Sequence, residues 1–149
     1  MMDTDIAEMR NKVFTSKENL QLDSALFFSE KLVLFSDEFE DTKNHCHIML
    51  ALSKFRELLF FLRKKNLLIN FVFPENQENK SLSKATELIF FHLIAAKCYN
   101  KIKKYSDAIE VLNENAKSGH EIIPNTQKFF FVANANFDEA TTKFKKAIF

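Results

Sequence analysis

The sequence predicts an all-α protein built as a stack of antiparallel helix pairs. Three observations point there. The 149 residues hold one glycine and two prolines, against about ten and seven in an average chain of this length. Tight hairpins and phosphate-cradling loops use glycine at positive φ, so β-rich and mononucleotide-binding folds are disfavoured. Apolar residues recur at helical spacing along most of the chain. The same apolar pattern also returns in four separate segments, the mark of a repeat architecture.

Each element has its own local signal. Residues 3–14 place Ile6, Met9 and Val13 on one face of a short amphipathic helix. Thr15 and Glu18 stand at capping-box spacing. They are expected to open a second helix in which Leu22, Ala25, Leu26, Ser29, Leu32 and Val33 follow the helical period. The polar run "SDEFED" (36–41) is expected to end it. Residues 43–53 and 55–68 read as another pair, the latter with Phe55, Leu58, Leu59, Leu62 and Leu67. Pro74 and its polar neighbours predict a long loop over 70–83. Residues 84–101 predict a helix with Leu88, Phe91, Ala95 and Tyr99 inward, and Ser106 and Asp107 lead into the next, 106–117. Gly119 marks a helix stop and Pro124 a helix start. Segments 125–134 and 137–148 complete eight helices in four pairs, read as one domain over 1–149.

The second helix of each pair carries the repeat. "LDSALFFSEKL", "FRELLFFLRKK", "YSDAIEVLNEN" and "FDEATTKFKKA" each begin on an apolar residue: Leu22, Phe55, Tyr105 and Phe137. Ala25, Leu58, Ala108 and Ala140 follow three positions later, spaced 33, 50 and 32 residues apart. The middle interval contains the long loop. In the third pair, His92, Ala95, Ala96 and Tyr99 precede Tyr105, Ala108 and Leu112. This resembles the tetratricopeptide (TPR) pattern Trp-x-x-Leu-Gly-x-x-Tyr followed by Ala-x-x-x-Phe, in a unit of about 34 residues. His92 stands for Trp, Ala96 for Gly and Leu112 for Phe. Ala95, Ala96 and Ala108 let two helices approach closely, while Tyr99, Tyr105 and Leu112 fill the space around the crossing. A single pair cannot bury its apolar face, so pairs stack into a TPR-like superhelix.

A narrower resemblance covers most of residues 20–149. "LDSALFFSEKLVLFS", "FRELLFFLRKKNLL", "FHLIAAKCYNKIKKYSDAIEVLN" and "ATTKFKKAIF" resemble successive repeats of the TPR scaffold subunits of the anaphase-promoting complex, or cyclosome. Residues 36–50 and 66–84 match poorly. The resemblance implies a non-catalytic scaffold of a mitotic ubiquitin ligase, found in nucleus and cytoplasm, which forms a homodimer through its N-terminal repeats and holds other subunits of the complex. Because the chain stops inside a repeat, a fragment of a longer protein is expected.

Composition and motifs restrict the chemistry. Net charge is +1, so no strong field draws the chain to nucleic acid or anionic lipid. Eighteen phenylalanines and no tryptophan suit an AT-rich coding sequence better than a phenylalanine-based function. The two cysteines, Cys46 and Cys98, show no disulfide framework, and the apolar run 58–73 is broken by "RKKN" and too short to span a bilayer. Within "NHCHI", His45, Cys46 and His47 are adjacent on a helix and diverge by about 100° each, which does not converge on one ion. Glu8, Asp23, Glu30 and Glu57 read as solvated, Cys98 as buried and inert, and no serine sits in a glycine-rich elbow. No enzyme activity, metal or cofactor is expected. The basic clusters at 63–65 and 101–104 complement helix C-termini, and a third lies at 143–146. Three interaction surfaces are expected instead. Phe27, Phe28 and Phe35 form a candidate dimer surface, with a further apolar surface around Phe129, Phe130 and Phe131. Leu93, Lys97, Asn100 and Lys101 form a candidate groove in which the two lysines meet a C-terminal peptide carboxylate, the alternative to two ordinary surface lysines.

Overall fold

The computed structural model describes residues 3–68 and 78–111, with side chains for 4–68 and 87–111. Six helices and no strand are present among the described residues: α1 (Asp3–Glu18), α2 (Leu22–Phe35), α3 (Phe39–Ala51), α4 (Phe55–Lys64), α5 (Glu78–Lys101) and α6 (105–111). The chain divides into two compact units, Met1–Lys54 and Phe55–Phe149. Leu112, Gly119, Pro124, the helices expected over 125–134 and 137–148, and the phenylalanines at 129–131 lie outside the described residues, as does 69–77 of the expected loop.

In the first unit α2 packs against both α1 and α3. Val13, Ala25, Leu32 and Ile48 form the centre, with Ile6, Met9, Leu26, Phe28 and Leu52 packed around it. The periodicity of α1 explains its share: Ile6, Met9 and Val13 are three and four apart and line one face. Ala25 is 0 % exposed, and its short side chain lets a neighbouring helix come close. In the second unit α4 packs on α5. Leu58, Leu59 and Leu62 of α4 and Leu88, Phe91, Ala95 and Tyr99 of α5 are all buried.

Four helices end in the same way. Leu20, Ser53, Asn66 and Lys103 have φ between 56° and 64°. After α1, the Leu20 N–H donates to the Lys17 carbonyl and the Gln21 N–H to the Ser16 carbonyl. The corresponding pair of bonds recurs at Ser53 and Lys54, at Asn66 and Leu67, and at Lys103 and Lys104. This is the Schellman arrangement, which satisfies carbonyls left open at a helix end. Three of these turns lead directly into a helix. In each, the helix begins two residues after the positive-φ residue, at Leu22, Phe55 and Tyr105. The residue five positions after it is fully buried each time: Ala25, Leu58 and Ala108. The spacing along the chain is 33 residues and then 50.

Helix boundaries differ from the sequence expectation in four places. Thr15 and Glu18 lie inside the last turn of α1 and cap nothing; α2 starts at Leu22 after Gln21, which makes no side-chain cap bond. The left-handed turn at Leu20 decides this break. Residues 39–41 of "SDEFED" open α3 rather than closing α2, and Glu40 and Asp41 in that first turn suit the positive end of the helix dipole. Helix α4 stops at Lys64, because Asn66 takes the left-handed conformation. Helix α5 starts at Glu78, so 78–83 is helical rather than loop; this polar stretch holds no glycine or proline to prevent it.

These turns use residues poorly suited to positive φ. Leucine and lysine carry a Cβ that clashes there, at a cost of about 1 kcal/mol. Leu20→Gly, Ser53→Gly and Lys103→Gly are each expected to raise stability by about 0.5–1 kcal/mol. Asn66→Gly is expected to give less, since asparagine tolerates this region. Urea midpoints of the single variants measure the effect, and unchanged or lower midpoints at all three sites would refute the geometry.

Candidate interaction surfaces

Helix α2 turns two opposite faces to its surroundings. Ala25, Ser29, Leu32 and Val33 point inward. On the outer face Phe27, Leu34 and Phe35 are 52 %, 70 % and 55 % exposed. They are spaced seven and eight residues apart and share one side of the helix. Lys31 lies over the Phe27 ring, with Nζ 4.2 Å from its centroid, so the lysine covers part of the aromatic face while its charge stays in water. Phe28 behaves differently from its neighbours in the expected trio. It is half-buried against the core cluster, meets Phe27 edge-on at 5.4 Å, and has Lys12 above its ring. Phe27 and Phe35 thus face outward and Phe28 anchors the helix. Leu34 was missed by sequence reasoning, though its place seven residues after Phe27 was the available signal.

The inner side of α2 carries a polar pair. The Ser29 hydroxyl donates to the Leu26 carbonyl at 3.1 Å, and its oxygen accepts from the Nδ1–H of His45 at 2.7 Å. Both side chains are buried. His45 and Cys46 therefore sit inside the first unit, whereas His47 is exposed. Among the described residues no three His, Cys, Asp or Glu side chains gather as metal ligands. Glu8, Asp23, Glu30 and Glu57 are exposed.

Between α1 and α3 lies a cleft of about 490 Å³. Its two ends are fixed by side chains that reach from one helix to the other. At one end Arg10 Nε lies 2.9 and 3.0 Å from the two Asp41 oxygens, and Nη2 lies 2.8 Å from Oδ2. Glu38 adds a contact at 3.2 Å, and the Ser36 hydroxyl donates to Asp41 at 2.6 Å. The hydrogen bond to Asp41 is the main cause of a guanidinium pKa raised still further above its ordinary value. At the other end Lys17 donates to the Asn44 side-chain oxygen at 3.3 Å. Val13 and Leu32, both buried, form the floor, and Phe14, 62 % exposed, stands at the edge.

In the second unit the expected groove residues lie along α5. Lys97 and Lys101 are exposed, and Leu93 and Asn100 are half-buried. The Asn100 side-chain oxygen is buried and has no hydrogen-bond partner among the described residues, so it is not displayed to solvent beside the lysines. Of the residues expected at the helix crossing, Ala95, Ala96, Tyr99 and Ala108 are buried and Tyr105 is half-buried. The Arg63 guanidinium hydrogen-bonds the Tyr99 hydroxyl and lies near its ring. His92 is buried; its Nδ1–H donates to the Leu88 carbonyl at 2.7 Å, and Nε2 has no partner among the described residues. Cys98 is fully buried, and desolvation pushes its thiol up to about 12, which keeps it protonated and inert. Among the described residues no helix is long and apolar enough to cross a membrane.

No protein-family model matches the chain, and no curated protein or solved structure matches it.

Proposed function

We propose that this chain is a non-catalytic, TPR-like scaffold that forms a homodimer through the outer face of α2. The observation that carries the proposal is the exposed stripe of Phe27, Leu34 and Phe35. Three large apolar side chains on one helix face favour a partner surface, because covering them removes apolar area from water. Helix–turn–helix junctions of one turn geometry and one buried register, one within each unit after Leu20 and after Lys103, support the TPR-like reading. In a TPR array, such junctions connect the two helices of each repeat. The sequence likeness to the scaffold subunits of the anaphase-promoting complex, most to the one numbered six and next to the one numbered three, gives the assembly its proposed setting. There the dimer would hold other subunits of a mitotic ubiquitin ligase in nucleus and cytoplasm.

Light scattering at micromolar concentration is expected to give a dimer mass. The double variant Phe27→Ser with Phe35→Ser is expected to weaken dimerisation about a hundredfold. Its thermal unfolding should change little once the protein is monomeric, since both rings are half-exposed. Phe28→Ser is expected to lower stability instead, because Phe28 packs on the core cluster. A monomeric wild-type protein would sink the proposal.

A further inference from the structure

We propose that the cleft between α1 and α3 is a docking site for a protein segment carrying a large apolar side chain flanked by lysine or arginine. Shape and charge both select this occupant. Val13 and Leu32, both apolar and buried, line the cleft, and Phe14 lines it with 62 % of its surface exposed. An apolar side chain entering the cleft covers Val13, Leu32 and the Phe14 ring together. The charges around it are unequal. Arg10 is paired with Asp41 and Glu38, while Lys17 bonds to the neutral Asn44 side chain and keeps its charge. Glu18 and Glu40 also line the cleft, and among the described residues neither has an ion-pair partner. The lining thus sets four carboxylates, Glu18, Glu38, Glu40 and Asp41, against the two cations Arg10 and Lys17, and this excess attracts a basic flank while opposing an acidic one. Long-range attraction does not explain such a preference, because the chain as a whole carries a net charge of only +1.

The cleft is also held open in advance. The Arg10–Asp41 and Lys17–Asn44 contacts span from helix to helix at its two ends, so an entering segment need not order them first. This site is separate from the outer face of α2 and does not depend on self-association.

A fluorescent peptide with a central leucine–phenylalanine pair flanked by lysines, titrated with the full chain, tests the proposal. Anisotropy is expected to show saturable binding that weakens with salt. A control peptide with glutamates in place of the lysines is expected not to bind. Phe14→Ala and the pair Glu18→Lys with Glu40→Lys should each weaken binding about tenfold. All three residues are exposed, so far-UV circular dichroism is expected to stay unchanged. The Phe27→Ser with Phe35→Ser variant should bind the peptide like wild type. Equal binding of the acidic control, no binding at low salt, or loss of binding in the α2 variant alone would each overturn the assignment.

Discussion

Leu58→Ala is expected to cost about 3 kcal/mol of stability, and Ala25→Leu, the opposite change at the corresponding place in an earlier helix, about 2–3 kcal/mol. Both residues stand five positions after a left-handed turn, and both are 0 % exposed. Leucine at 58 fills space that its neighbours do not close, so truncation removes buried methyl groups and leaves a cavity. Alanine at 25 lies in the centre of the first unit beside Val13, Leu32 and Ile48. Three more carbons there must push α2 away from its neighbours or force strained rotamers. The register is shared, but the side-chain volume is fitted to each local gap. Chemical denaturation of the two variants measures both costs. If Ala25→Leu were neutral, the close approach assigned to α2 would be wrong, and with it the tightly packed first unit.

The register of the second helices was legible because it is a local pattern. An apolar lead followed by a residue three positions on needs only the helical period, and Leu22 with Ala25, Phe55 with Leu58, and Tyr105 with Ala108 all begin their helices in that register. The turns before them were not legible, since leucine, serine and lysine at positive φ give no glycine signal. For the same reason the capping-box spacing of Thr15 and Glu18 misplaced the start of α2. The polar stretch 78–83 looked like loop because it lacks an apolar face, yet it continues α5. Among the surfaces, the phenylalanine doublet exposed the importance of α2 but not which ring turns inward. The cleft depends on Arg10 and Asp41, which are 31 residues apart and meet only through the fold. No local pattern encodes that pairing.

Arg10→Met is expected to cost about 2–3 kcal/mol, more than Asp41→Asn at about 1–2 kcal/mol. The asymmetry follows from burial. The Asp41 side chain is only 6 % exposed, while that of Arg10 is 39 % exposed. Removing the guanidinium leaves a buried carboxylate that still accepts from the Ser36 hydroxyl, and water reaches it poorly. Removing the carboxylate charge leaves a guanidinium that still meets Glu38 and solvent. The exposure of Arg10 holds the first figure below the range for a fully buried pair. The exposed Lys12–Glu8 pair, 3.5 Å apart and one turn along α1, serves as a control, with about 0.3 kcal/mol expected from its loss. Replacing both partners, as Arg10→Met with Asp41→Leu, is expected to recover most of the loss, because no unpaired charge then remains inside. Equal costs for the two single variants would mean that Asp41 is solvated in solution, and the bridge would no longer hold one end of the cleft.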